Sequence, residues 1–475
     1  MIAALDTILE AAASAEVHAR TGHVVRATGE SVTTRGLNLR VHELAFVEDP
    51  AGRPLAAECS STHGAEMHIS LLDRGAVTVG SRVHSSGAVA SAPSGNAVLG
   101  RIIDGLGRPL DEGGPLSRAR WVPVFAEPPS PLARQAIERR LATGIRAIDT
   151  FSTVGRGQRI GIFAGSGVGK STTLGMLARG TEADVTVIAL IGERGREVRD
   201  FIEHDLGFDA LKHSVVVAST GDTPAAMRLC AANAATAIAE GFRDEGRDVL
   251  LLFDSLTRVA MAQREIGLAA GEPPAMRGYP PSVFSLLPHL MERAGPGQRG
   301  SITAVYTVLV DGDDMEEPIA DISRATLDGH IVLKRALATA GHYPPIDVLS
   351  SVSRLMNRVA ETHHIEAARR IRSLLAAHEE ARDLISIGAY VRGSDPEVDR
   401  ALERLPDIHE LLRQSASEIT PIDESIRRLS EIAEVPIPGV DDSAESQGDA
   451  PGTEVPAPGE TPADAIDGDY TEEAA

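Results

Sequence analysis

The chain has 475 residues, of which 43% are apolar and 24% charged, and a formal net charge of −22 at pH 7. That length suits two to four domains with a full core, and the acidic balance argues against binding nucleic acid by simple charge attraction. With only 15 aromatic residues, a site that needs several stacked rings is disfavoured.

Three Lys stand beside 43 Arg, so an isolated Arg carries little information. Cys59 and Cys230 have no metal-ligand or redox spacing and fit a reducing cytosol. No apolar run reaches the roughly 20 residues of a membrane span, and the N-terminus lacks a basic region followed by an apolar one. A cytoplasmic protein is expected.

Residues 1–20 are expected to form an N-terminal helix, with Ile2, Leu5, Ile8 and Leu9 on a weak apolar face. From Gly22 to Ser91 the texture changes to short alternating runs. LNLRVHELAF places Leu37, Leu39 and Val41 on one side, and AVTVGSRVHSSG reads as strand, turn and strand. Turn residues recur about every ten positions, which predicts a small β-barrel or sandwich over residues 21–93. Its only aromatic is Phe46.

Residues 94–357 alternate strands with helices, which predicts an α/β core with a mainly parallel sheet. The expected strands are Arg159–Phe163, Val185–Ile191, Ser214–Ala218, Val249–Phe253 and Ser301–Val310. Ligands of such sheets lie at the carboxyl ends of strands. The first strand ends in FAGSGVGKSTTLGM, a phosphate-binding loop. Gly165, Ser166, Gly167, Val168 and Gly169 can close backbone N–H groups around phosphate oxygens, and Lys170 adds a point charge. Ser171 offers a hydroxyl to Mg²⁺, and the helix start at Lys170–Thr172 favours an anion. Ala164 stands where the usual pattern has Gly. The second strand ends in Gly192-Glu193-Arg194 and the fourth in Asp254-Ser255, so three apt sequences fall where one site needs them. Asp254 can hold Mg²⁺ opposite Ser171, or it can cap the helix that follows. Glu193 can orient a water in line with a γ-phosphate, or it can pair within the charged run ERGRE. Arg194, Arg196 and Glu197 read as structural pairs.

Other stretches carry less. His363-His364 has no partner ligand and is expected on a solvated helix face. GEPPAMRGYPPSVF, 271–284, is too long for a hairpin and reads as an ordered functional loop. DGDDMEEP, 311–318, reads as a wet acidic loop at a strand end. Residues 358–435 show helical spacing at Ile365, Ala368, Ile371 and Leu375, then Val398, Leu402, Leu405 and Leu412, then Ile422, Ile426 and Leu429. Ser394-Asp395-Pro396 and Thr420-Pro421 are good helix starts. Residues 436–475 hold eleven Asp or Glu and no Lys or Arg, half of the net charge. That composition predicts a disordered acidic tail.

The order of parts resembles the catalytic subunits of rotary F-type ATP synthases and their relatives, the ATPases of type III protein export. FAGSGVGKS, LIGERGREVRDFIE, DSLTRVAMAQREIGLAAGEPP, GYPPSVF, SITAVYTVLVDGDDMEEPIAD, DGHIVL and SIGAYVRGSDP carry the likeness over about residues 20–435. They are most similar to the flagellar members of the export branch. The resemblance implies a RecA-like P-loop core between a small β-barrel and a helical bundle. It implies ATP hydrolysis with Mg²⁺, by a homohexameric ring that drives chaperone release, unfolding and export of flagellar proteins. Lys170 and Ser171 match the family's phosphate and Mg²⁺ residues, Glu193 its catalytic carboxylate and Asp254 its Mg²⁺-site acid. Arg354, in SSVSR, matches the arginine that a neighbouring subunit contributes to the γ-phosphate. Tyr343, in HYPPIDVL, matches the aromatic that packs on adenine; the stretch LLRQSAS, 411–417, has no ring where the synthase has a second one. Asp313 and Asp314 match a loop that touches the rotor stalk. Further implied partners are a central stalk-like coiled coil, a dimeric regulator on the N-terminal segment, export chaperones and a membrane export gate at the inner face of the cell membrane. A virulence-type export ATPase and a synthase catalytic subunit are the alternatives. A ring helicase such as the terminator Rho is opposed by the acidic body and the single aromatic of the β-domain. A non-catalytic ring subunit is opposed by the carboxylate at Glu193.

Overall fold

The structure, a computed structural model, describes residues 21–438 apart from 311 and 313. The helix expected over residues 1–20 and the acidic tail from 439 onward lie outside the described residues.

Six strands close into a barrel: β1 (Thr21–Thr28), β2 (Ser31–Arg35), β3 (Glu43–Glu48), β4 (Pro54–His63), β5 (Glu66–Leu71) and β6 (Arg82–Val89). Their spatial order is β1-β2-β5-β4-β3-β6, and closure leaves no free sheet edge. Alternation drives it. Val24, Val32, Ala45, Val47, Cys59, Ile69 and Val83 fill the interior. Two local expectations are corrected. Leu37 and Leu39 join this core, but Val41 is exposed, because the chain turns at His42 (φ 69°) before β3 begins. Ala76–Val79 form no strand and cross irregularly toward β6.

The central sheet contains β7 (Ile102–Ile103), β8 (Arg159–Ala164), β9 (Val185–Ile191), β10 (Ser214–Ser219), β11 (Asp248–Asp254), β12 (Ser301–Leu309), β13 (Gly329–Leu333) and β14 (Val352–Ser353). The order is β14-β13-β8-β12-β11-β9-β10-β7, and the two-residue strand Gly295–Pro296 also pairs with β12. From β13 to β7 all neighbours are parallel, whereas β14 runs antiparallel to β13. The five expected strands are present, with ends shifted by one residue at most. Their unbroken apolar runs follow from burial on both faces. In β9, Val185, Val187, Ala189 and Ile191 pack into one core cluster, while Ile188 and Leu190 pack into the other.

Seven helices matter for the site: α1 (Lys170–Gly180), α2 (Ala225–Asp244), α3 (Leu256–Ala269), α4 (Pro281–Glu292), α5 (Thr362–Ser386), α6 (Pro396–Leu412) and α7 (Ile422–Ala433). Asp395 caps α6 by accepting from the Glu397 and Val398 N–H groups at 2.8 and 3.3 Å, and Pro396 takes the first helical position. On α5 the expectation for His364 is overturned. It is fully buried, and its Nε2 donates to the Thr150 carbonyl at 2.8 Å. Burial pushes its pKa down, so a neutral ring packs α5 against the core.

One buried ion pair ties α2 to the end of α4. Arg293 sends Nε and Nη2 to the two Glu240 oxygens at 3.1 and 2.7 Å, and Nη1 to Asn233 at 2.9 Å. Its side chain is essentially sealed from water. Glu240→Ala would leave that guanidinium unpaired, so stability should fall by about 3–5 kcal/mol. The denaturant midpoint reads this, and a shift equivalent to less than about 1 kcal/mol, the scale of an exposed pair, would show that water replaces the carboxylate.

Candidate active site

β8 ends at Ala164, and the chain turns through Gly165–Gly169 into α1. Gly167 (φ 74°) and Gly169 (φ 108°) adopt left-handed backbone that a side chain would strain. Val168 is buried and anchors the loop between them. The remaining loop residues, Gly165, Ser166, Gly167 and Gly169, line a cleft of about 380 Å³ together with Lys170, Ser171 and Thr172. Glu193, Asp254 and Arg258 form its other wall.

The charges in the cleft interlock. Lys170 Nζ lies 2.5 Å from Asp254 Oδ1 and 3.3 Å from Glu193 Oε1. Burial alone would lower the lysine pKa, but Asp254 and Glu193 outweigh it and hold the ammonium above its ordinary value. Both carboxylates are buried. Lys170, Glu193 and Asp254, read from three separate stretches of sequence, therefore meet in one place. Arg194 pairs with Glu197 at 3.4 Å and Arg196 with Asp200 at 3.5 Å, as solvent-facing pairs, although Arg194 and Glu197 also reach the cleft rim.

Two residues were not read from sequence. Thr307, near the end of β12, donates its hydroxyl to Asp254 Oδ1 at 2.7 Å. β12 lies between β8 and β11, so its Thr completes the lysine–aspartate contact from the middle. Arg258 follows Asp254 by one helical turn, lines the cleft and buries an Nε without a partner. A polar residue inside the apolar run SITAVYTVL was a signal for Thr307; Arg258 was hidden by the abundance of Arg.

Arg354 is not brought to this cleft. It is exposed after β14, where its N–H donates to the Asp328 carbonyl and its Nη2 to the Arg324 carbonyl, both at 3.0 Å. Tyr343 is about half exposed (51%), and its carbonyl accepts from the Gln414 N–H at 2.8 Å. Arg335, nearby in sequence, donates to the Ser166 carbonyl at 2.9 Å, which ties this segment to the phosphate loop. Among the described residues no cluster of His, Cys, Asp and Glu forms a metal cage.

Residues 144–353 match the ATP synthase alpha/beta family, nucleotide-binding domain, and residues 360–431 match the T3SS EscN ATPase C-terminal domain. The flagellum-specific ATP synthase of Bacillus subtilis is 48% identical, covering 90% of this chain and 98% of that protein. The type 3 secretion system ATPase of Xanthomonas euvesicatoria is 46% identical, covering 90% of this chain and 98% of that protein. The chain belongs to the family of flagellar and type III secretion ATPases. The assembled ATPase EscN of enteropathogenic E. coli, solved in complex with its central stalk EscO, superposes with a TM-score of 0.80 at 42% identity, covering 87% of this chain and 100% of that chain. The matched nucleotide-binding segment contains every residue that lines the cleft.

If Glu193 serves this ATPase only by placing a water, Glu193→Gln should keep nucleotide affinity and lose turnover by roughly 10²–10⁴-fold. Lys170→Ala should lose both. Near wild-type hydrolysis by the Gln variant would make Glu193 a structural partner of Lys170.

Proposed function

We propose that this ATPase hydrolyses ATP for the flagellar type III export apparatus, coupling hydrolysis to chaperone release, unfolding and export of flagellar proteins. The observation that carries the chemistry is the meeting of Lys170, Glu193 and Asp254 at the carboxyl ends of parallel strands. Lys170 and the Gly165–Thr172 loop bind the phosphates, and Glu193 orders the attacking water. Tyr343 offers a half-exposed ring to the base.

The donor set fits Mg²⁺. Asp254 and the exposed Ser171 hydroxyl are hard oxygens on the same cleft, and Mg²⁺ takes only one or two protein ligands beside phosphate and water. The ion would supply charge neutralisation on the phosphates. Thr307 keeps Asp254 oriented toward the cleft.

Arg354 is the trans-acting finger of a homohexameric ring. Its strand β14 lies five strands from β9, which leads into Glu193. At about 4.8 Å per strand that is roughly 24 Å, beyond the reach of one side chain. The neighbouring subunit's cleft is the natural recipient. A central stalk, as EscN has in EscO, would contact the acidic loop, where exposed Asp314 pairs with Arg277 of the proline-rich loop at 2.9 Å. Asp311 and Asp313 lie outside the described residues. A dimeric regulator on the N-terminal segment, chaperones and a membrane export gate complete the proposed set, with the enzyme cytoplasmic and peripheral at the membrane. Among the described residues no helix is long and apolar enough to cross a bilayer.

Arg354→Ala should reduce hydrolysis by roughly 10³–10⁵-fold while sparing nucleotide binding, and should fail to restore motility to a deletion strain. Mixing Arg354→Ala with Lys170→Ala subunits should return partial activity, because some interfaces then hold an intact Lys170 facing an intact Arg354. Full activity of Arg354→Ala alone would end the reading. Neutralising Asp313 and Asp314 together should leave basal hydrolysis in place and weaken stimulation by the stalk protein. Lost basal activity in the isolated enzyme would move the loop into the active site.

A further inference from the structure

A single strand, β13, lies between β8, which runs into the phosphate loop at its carboxyl end, and the antiparallel β14, which runs into Arg354 beside the amino end of β13, and both edges of β13 are occupied. On one edge His330 pairs in register with Gly161 of β8, the strand that runs into the loop. On the other it pairs with Val352 of β14, the strand that runs into Arg354. The side chains repeat this arrangement. The His330 ring meets Phe163 edge-on, with centroids 5.8 Å apart, and only Ala164 separates Phe163 from the loop. Phe163 folds back over Gly161, where a Cβ would stand 2.4 Å from its ring, so only glycine permits this packing. His330 and Phe163 also line one cavity of about 320 Å³, which reaches from Gly165 of the phosphate loop to Arg324, Lys334 and Asp347. Arg324 holds the Arg354 guanidinium through its carbonyl at 3.0 Å.

The charge state suits the position. Burial lowers the His330 pKa, and the Arg324 and Arg354 charges lower it further against a hydrogen bond to the Ser350 backbone. A neutral imidazole can sit among these cations without repelling them. Lys334 is itself occupied with Asp347 at 3.4 Å.

We propose that His330 is a positioning residue for turnover, fixing Arg354 relative to the phosphate loop of its own subunit. The state of one nucleotide cleft then sets the arginine offered to the next subunit. This rests on the reading of Arg354 as a finger acting across the ring. It requires nothing of the stalk. The device is a strand paired on both edges together with one ring contact, and packed side chains and rigid elements are what carry coupling between sites.

The test is a double-mutant cycle on the full-length assembled enzyme, with single-turnover hydrolysis and nucleotide affinity read separately. His330→Ala should slow hydrolysis by about five-fold or more, the low end of ordinary coupling between sites, and leave nucleotide affinity within two-fold. In an Arg354→Lys background the same change should cost less than about two-fold, because the contact it serves is already degraded. His330→Asn, which keeps a polar group but cannot reach Phe163, should match Ala and replaces it if Ala does not assemble. Equal losses in both backgrounds, an unchanged rate, or a matching loss of nucleotide affinity would each overturn the proposal. Arg354→Lys and Arg354→Ala at wild-type rates would instead remove the finger reading itself, and this proposal with it.

Discussion

The Lys170 ammonium is the interaction on which the rest of the site depends. Two buried carboxylates, Glu193 and Asp254, stand within 3.3 Å of it, and burying such groups without a paired cation is costly. The contact is available only because β8, β9 and β11 are parallel and end at one level. Thr307 enters from the strand between them and satisfies Asp254 from the side. On the proposed role of Lys170, a phosphate entering the loop would compete with both carboxylates for the same ammonium.

The reach of sequence reasoning follows the strength of each local constraint. β8 to β12 were legible because strands buried on both faces need unbroken apolar runs, and Gly167 and Gly169 were legible because the loop needs left-handed backbone. Lys170, Glu193 and Asp254 could be placed together from the rule that ligands lie at strand ends. β13 and β14 were not called out, since one carries His330 within its run and the other has two residues. Val41 and Ala76–Val79 were misread because short alternation in a barrel competes with turns that periodicity does not reveal. His364 was misread for a different reason. A histidine becomes a core residue only through a partner distant in sequence, here the Thr150 carbonyl.

Arginine shows the same limit on a larger scale. With 43 of them, the chain uses guanidinium groups wherever a buried acceptor needs a donor. Arg293 joins α2 to α4, and Arg146 sends its Nε to the Leu411 carbonyl at 2.8 Å, docking the end of α6 on the core. Against that background neither Arg258 nor Arg354 stands out by type. Arg258 is identified by its place in the cleft, and Arg354 by family resemblance together with its distance from that cleft.

That distance turns a chain-level observation into a statement about assembly. The sheet presents Glu193 on one side of β8 and Arg354 on the other, with β12 and β11 lying between β8 and Glu193's strand. A rigid parallel sheet cannot fold those two positions onto each other, because its register and spacing are fixed by hydrogen bonds. On the proposed reading of Arg354, a cleft that draws on both would be completed by a second copy. The same sheet that separates the two groups within a subunit also connects them, through β13 and the edge-on rings of Phe163 and His330. With Arg354 as the proposed finger, separation would make turnover depend on assembly, and the connection through β13 would relate neighbouring clefts in a ring to one another.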